Sequence, residues 1–333
     1  MSLDPARRAG LERARALAIA RDHFHLDTEG ASVDAAPFGV TVRVGDADAC
    51  TAVIVSSVDD LSVLGGALVW LDRNPVAAAH LVVEHHAGVH ARRAAVLAPD
   101  LQLHELAGSD VRDAVVAPIT EPHPTPDDIT PLVAMIERSG AQAVIEDGIV
   151  RAEVAGLEVG RVVTGPNGSS LEVGVGRFDR EAGALLHADR PVEPTLVSTI
   201  EQVREHRAPG AVAHPVNRIG RERWLRDLVR VDPALAGIVD PELVEPIPPR
   251  SSLLEASAAA LLGADEGRRV LVVFSVGVEL GLVPAAADLV AAHRPDEVRF
   301  VLPARDRLPY LERLAARLGV AVSFADIEVP WVD

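Results

Sequence analysis

Between Glu201 and Arg230, seven arginines stand against four acids, in a chain whose formal net charge is −17. Arg204, Arg207, Arg218, Arg221, Arg223, Arg226 and Arg230 carry planar guanidinium forks that match phosphate and carboxylate oxygens in pairs. His214-Pro215-Val216-Asn217 precedes the second helix of this stretch with Asn217 as N-cap, so backbone donors and several arginines can converge on one anion. Trp224 offers a ring to stack on a base or close the site. The spacing points to an anionic, phosphate-bearing ligand, a small molecule or a nucleic acid, held by His214, Asn217, Arg218, Arg221, Arg223, Trp224 and Arg226. The competing reading is a surface helix whose arginines neutralise an acidic body and whose Trp224 and Leu225 face the core.

A second set of groups lies in Gly156 to Ala182, GLEVGRVVTGPNGSSLEVGVGRFDREA. Alternating Leu and Val on both sides of Pro166-Asn167-Gly168 predict a β-hairpin. Pairing about Asn167 puts Leu157, Val159, Val163, Leu171, Val173 and Val175 on one face with Arg161. It puts Glu158 and Glu172 on the other, over Gly160, Gly174 and Gly176. With Asp179 these carboxylates are candidate ligands for a divalent metal that would hydrolyse a phosphodiester or phosphate ester while the arginines hold the phosphate. Four ribbon steps, about 13 Å, separate Glu158 from Glu172, too far for one ion. The same glycine floor also suits a packed helix, and in a non-catalytic protein-interaction module that helix belongs to a partner.

A helix with Glu137, a strand, strands with Glu158 and Glu172 and a further helix resemble the core of restriction-endonuclease-like nucleases. The resemblance implies an acid paired with a lysine two positions on, where this chain has Gly160 and Gly174, leaving Arg161 or Arg177 to take that part. Gly156 to Ala182, with His214-Pro215-Val216-Asn217-Arg218 and Arg221-Glu222-Arg223-Trp224, resembles an uncharacterised family of proteins from GC-rich actinobacteria. That family carries no assigned activity, so the likeness implies no site residues.

Other motifs are weaker. In Glu84-His85-His86-Ala87-Gly88-Val89-His90, His86 and His90 share a helical face, but no glutamate completes an H-E-x-x-H metal motif. His23 and His25 stand two apart, and His104-Glu105 ends a neighbouring strand. No dinucleotide fingerprint, phosphate loop or strained serine elbow is present. The chain contains no lysine, which excludes Schiff-base and pyridoxal-phosphate chemistry on the protein. Cys50, the only cysteine, excludes an intrachain disulfide and reads as a buried thiol.

The elements that must position these groups are those of an α/β protein, and 48% apolar content supports a full core. Asp4-Pro5 opens a helix to about Arg21. From Cys50 the order is strand, helix (61–71), strand (80–83), helix (88–98), strand (101–103). The last seventy residues run alike: strand 270–274, helix 284–292, strand 298–302, helix 308–318, strand 320–322. An offset of 219 lays Ser56 on Ser275, Asp60 on Glu279 and Val82 on Val301. The expected architecture is two similar, mainly parallel α/β lobes, at 1–125 and 251–333, around a central hairpin and Arg-rich helical segment at 126–250. Ligands of such sheets lie beyond the carboxyl ends of strands, here Ser56 to Asp60 and Ser275 to Glu279. Pro241 to Pro249 reads as a linker and Ser252 to Leu262 as a short alanine-rich helix. No apolar run approaches a membrane span, and a cytoplasmic protein without membrane partners is expected.

Overall fold

The computed structural model describes residues 4–46, 49–166, 168–176, 180, 191–208, 210–249 and 258–332. Asp179 and the helix expected from it lie outside the described residues, as does Asn167. The chain is of the α/β class. It forms two compact units, neither continuous in sequence: Met1–Pro118, Val278–Ala292 and Leu308–Gly319 make the first, and Ile119–Gly277, His293–Arg307 and Val320–Asp333 the second.

The first unit opens with α1 (Pro5–Asp22), begun by Pro5 and by Asp4, whose Oδ2 accepts from the Arg7 backbone N–H at 3.3 Å. Six strands follow in spatial order: β1 (Ser32–Ala36), β2 (Gly39–Val44), β3 (Thr51–Ser56), β4 (Ala78–Val83), β5 (Leu101–Ala107) and β6 (Asp110–Asp113). Only β3, β4 and β5 are mutually parallel. They are joined by α2 (Val63–Arg73) and α3 (Ala87–Leu97), which right-handed crossover places together on one face. The opposite face packs α1 through Ala16, Ile19 and Ala20 against Val42, Val53, Val55, Val82 and Leu106. Two later helices, α7 (Leu282–His293) and α8 (Pro309–Ala315), also cluster here apart from His293. Asp288 of α7, almost wholly buried, accepts from Arg92 Nε at 2.7 Å and Arg93 Nε at 2.8 Å on α3.

The second unit holds two sheets. One is antiparallel, in the order β10 (Gly168–Val173), β9 (Leu157–Gly165), β8 (Ile149–Val154), β7 (Gln142–Glu146). Its apolar face, with Val150, Ala152, Val154, Leu157, Val162 and Leu171, is covered by α4 (Thr130–Arg138) and α5 (Val192–His206). The other has the order β11 (Val239–Val244), β12 (Ala259–Asp265), β13 (Arg268–Phe274), β14 (Glu297–Leu302), β15 (Ala321–Asp326). Helix α6 (Arg221–Val231) packs on it through Trp224, Leu225 and Val229. Its pairings run antiparallel, antiparallel, parallel, parallel, the sequence of directions also found from β1 to β5.

Two sequence expectations are corrected here. Residues 259–262, expected in an alanine-rich helix, form buried strand between β11 and β13, because pairing on both edges outweighs alanine's helix preference. Residues 241–244, expected in a linker, belong to edge strand β11; Pro241 falls where its register shifts, the place a strand tolerates proline.

The hairpin exists, one residue out of the expected register. Gly165 pairs with Gly168 across a two-residue loop, so Glu172 stands opposite Arg161 and Leu171 opposite Val162. Gly168, at φ 99°, supplies the backbone that this tight turn requires. A bulge at Val159 then changes the parity of β9, since Ala152 pairs with Gly160 but Glu153 with Glu158. Glu158 therefore shares its face with Arg151, Glu153 and Arg161, not with Gly160 and Val162.

Candidate functional site

The register shift and the bulge together gather the charged residues of β7, β8 and β9 on the face away from α4 and α5. Glu158 is wholly buried there, and its oxygens accept from Arg151 Nη1 at 2.8 Å, Arg161 Nε at 3.0 Å and Arg180 Nη1 at 2.7 Å. Arg151 also reaches Glu146 at 3.1 Å. Burial works to raise the Glu158 carboxyl, but the Arg161 hydrogen bond and the Arg151 and Arg161 charges outweigh it and hold the group below its ordinary value. A carboxylate with three guanidiniums on it is a buried ion cluster. Glu172 lies half-buried opposite Arg161 on the neighbouring strand. Among the described residues no three His, Cys, Asp or Glu side chains are grouped so as to hold a metal ion.

The residues expected to form an anion site are likewise distributed by the fold. Arg223 Nη1 and Arg226 Nη2 each donate at 2.8 Å to the two oxygens of buried Glu153. Trp224 is a core residue, with the Arg207 guanidinium 4.7 Å from its ring centre and Trp331 5.4 Å away. Arg221 lies over the Trp331 ring at 4.8 Å and donates Nε to the Asn217 carbonyl at 2.9 Å. Asn217 does not cap α6; it is buried, and its side-chain amide donates to the His206 carbonyl at 2.9 Å. His214 and Arg218 are exposed, His214 stacked flat on His206 at 3.9 Å. Gly220, in the left-handed region at φ 58°, occupies the cap position of α6 and turns the chain into it. Of the seven residues, then, the two best-placed guanidiniums answer a carboxylate of the protein's own sheet.

The carboxyl ends of β3, β4 and β5 carry a different arrangement, all of it within the first unit. Arg15, projecting from α1, crosses these ends. It meets Glu84 Oε1 just after β4 at 2.6 Å, approaches Ser57 Oγ just after β3 at 3.5 Å, and donates to the Gly108 carbonyl just after β5 at 2.8 Å. Burial pushes the Glu84 carboxyl upward, while hydrogen bonds from Ser57 and Arg15 outweigh this and lower it overall. Beside Arg15 is a cavity of about 640 Å3 lined by Ile19, Asp22, His23, Leu106, Ser109 and Asp110 among others, within the range of small-molecule pockets.

Along the same strand ends, Asp59 Oδ1 lies 2.8 Å from His86 Nε2. His86 has φ 56°, a left-handed conformation uncommon for a residue with a side chain, and it is the turn from β4 into α3. His90, one helical turn on, is fully buried, and among the described residues neither of its ring nitrogens finds a hydrogen-bond partner. Burial, followed by the Arg93 and His86 charges, lowers it to about 3. Sequence spacing singled out His86 and His90 for a metal; the fold instead joins His86 to a carboxylate and seals His90 in the wall. Arg15 was missed because its role depends on α1 crossing three strand ends distant in sequence.

Comparison with known proteins gives no match: no family model, no curated protein and no solved structure matches the chain. Among the described residues no helix is long and apolar enough to cross a membrane.

Proposed function

We propose that the protein binds a small hydroxyl- or amine-bearing molecule in the cavity between α1 and the β5–β6 hairpin, at the carboxyl end of β5. The observation that carries this reading is Arg15, fixed over three strand ends by Glu84, Ser57 and the Gly108 carbonyl beside a cavity of about 640 Å3. Parallel strands present ligands at this end, where chain crossovers leave a crevice. The lining combines apolar Ile19, Leu106 and Val111 with Asp22, Ser109 and Asp110, a few polar groups on an apolar wall. Of the charged residues lining it, Asp22 and Asp110 outnumber Arg15, whose own charge Glu84 answers, so an amine or a hydroxyl is favoured over a phosphate.

The arginines of α6 support an anion site less well, because Arg223 and Arg226 are committed to Glu153. The five-stranded sheet, although its four pairings repeat the directions of the first four in the first unit's sheet, offers less at its own strand ends: the Asp306 carboxylate accepts from the Gly277 N–H at 2.7 Å and closes the loop after β13. With β4 at 78–83 and β14 at 297–302, an offset of 219, we read the two sheets as copies of one ancestral unit of which the first kept the open crest.

A thermal-shift screen tests the reading with sugars, nucleosides, amino acids and polyamines against nucleotides and sugar phosphates. A ligand at a hundredfold over its Kd adds about 2.7 kcal/mol. The shift is expected from the neutral and amine classes and is expected to vanish in Arg15→Met. A shift confined to phosphate compounds overturns the proposal.

A further inference from the structure

The wall of the cavity formed by α1 ends on an unusual seat. His23 and Phe24 follow α1 directly, and the Phe24 ring lies 4.1 Å from the His80 ring of β4 and 5.0 Å from the His104 ring of β5. His23 adds a third imidazole, edge-on to Phe24 at 4.7 Å and to His104 at 6.0 Å, and it also lines the cavity. His80 Nδ1 and His104 Nε2 are 3.2 Å apart, and His104 Nδ1 lies 3.1 Å from Asp113 Oδ1 on β6.

One arrangement of protons suits these contacts, the 3.1 Å approach of His104 Nδ1 to Asp113 being an electrostatic contact and not an aligned hydrogen bond. A carboxylate beside His104 Nδ1 calls for an N–H there, which leaves Nε2 to accept from His80 Nδ1–H. One additional proton can be taken up on His80 Nε2 with the Nδ1–H···Nε2 contact kept. A second cannot, because it sets two N–H groups against each other across 3.2 Å. The surroundings give little help: β3 places Val53 beside His80, Val82 and Leu106 complete the face, and Asp22 pairs with Arg21 at 2.7 Å. Among the described residues Asp113 is the one acid on the pair, and it is almost fully exposed.

We propose that His80 and His104, beneath the Phe24 ring, form an acid-sensitive latch that holds the end of α1 over the sheet while the pair is neutral and releases it when both are protonated, opening the cavity wall. Burial is the main cause that lowers both His80 and His104 from their ordinary value, followed by the His23 charge on His80 and the His80 charge on His104. The sign follows from linkage: a histidine held neutral in the fold contributes stability fully present above about pH 6.5, and it is lost as the pH falls from there toward the lowered folded value. The consequence for ligand binding rests on the cavity reading of the preceding section, whereas the latch itself can be tested with no ligand present.

Hydrogen exchange of the backbone amides of residues 19–26, corrected for intrinsic rates, should be compared at pH 7.5 and pH 5.5. The latch predicts about tenfold loss of protection for each imidazole kept neutral, while amides of β8 and β9 in the second unit keep theirs, and no such loss in His80→Gln/His104→Gln. Nitrogen-15 NMR of the parent protein gives a second readout that needs no variant. His104 should show a protonated Nδ1 at neutral pH, and both rings should titrate below the free-histidine value. Protection unchanged between the two pH values, or rings that titrate at or above that value, overturns the proposal.

Discussion

Glu153 and Glu158 show at the level of single residues why arginine clusters in a sequence are ambiguous. Each carboxylate is buried and answered by two or more guanidiniums. Removing one charge from such a cluster leaves the others uncompensated in a dry environment. Glu153→Gln is therefore expected to cost about 3–5 kcal/mol by urea denaturation, and Arg218→Ala, an exposed side chain, less than about 0.5 kcal/mol. The arginines themselves were visible in the sequence. What was not visible is that their anions are Glu153 and Glu158, 73 residues from Arg226 in the case of Glu153. Arg207 carries the same lesson: burial first, then the Arg223 charge, lowers it to about 10, and its donors go to the carbonyls of Ala155, Val216 and Ile219. His90 makes a pH prediction at this scale. Its folded value of about 3 lies below that of the unfolded chain, so stability falls as the pH drops from about 6.5 toward 3. His90→Leu should flatten that slope in denaturation curves taken across the range.

At the scale of elements, strong local patterns were legible and one-residue details were not. The Asp4-Pro5 start of α1, the helix–strand alternation after Cys50 and the hairpin in Gly156 to Ala182 all correspond to elements of the fold. The face of the hairpin was lost because side-chain period is two, so one step of register or one bulge exchanges core for polar. Nothing in LEVGRVV marks Val159 as the extra residue. Strand β12 was misread because AALL suits a helix until flanking strands bury it from both sides. Gly156 provides a direct test at this scale. Its φ is 72°, and a methyl group on its Cα would collide with the Arg223 carbonyl, so glycine lets the turn from β8 to β9 approach the start of α6. Gly156→Ala should destabilise by about 2–4 kcal/mol in urea denaturation. Gly267→Ala, with open space around it, should cost only its backbone strain of about 1–2 kcal/mol.

For the molecule as a whole, the α/β class followed from the alternation of strands and helices, but the grouping of elements into compact units did not. Helices α7 and α8 lie in sequence among the strands of the five-stranded sheet and cluster with the first unit, to which Asp288 is tied by Arg92 and Arg93. Local composition carries no record of such long-range pairing. The candidate site was hidden for the same reason. The loop Ser56 to Asp60 and the histidines at 85, 86 and 90 were singled out separately, yet Arg15 and the cavity beside it exist only once α1 is laid across β3, β4 and β5. The central claim is that this crest, and not the arginines of α6, is where the protein takes a ligand. Isothermal titration calorimetry of the best-stabilising sugar, nucleoside or amine against the parent, Arg15→Met and Arg218→Ala tests it most directly. The account predicts saturable binding that weakens at least tenfold in Arg15→Met and is unchanged in Arg218→Ala. Equal binding to parent and Arg15→Met, with loss in Arg218→Ala, would contradict it.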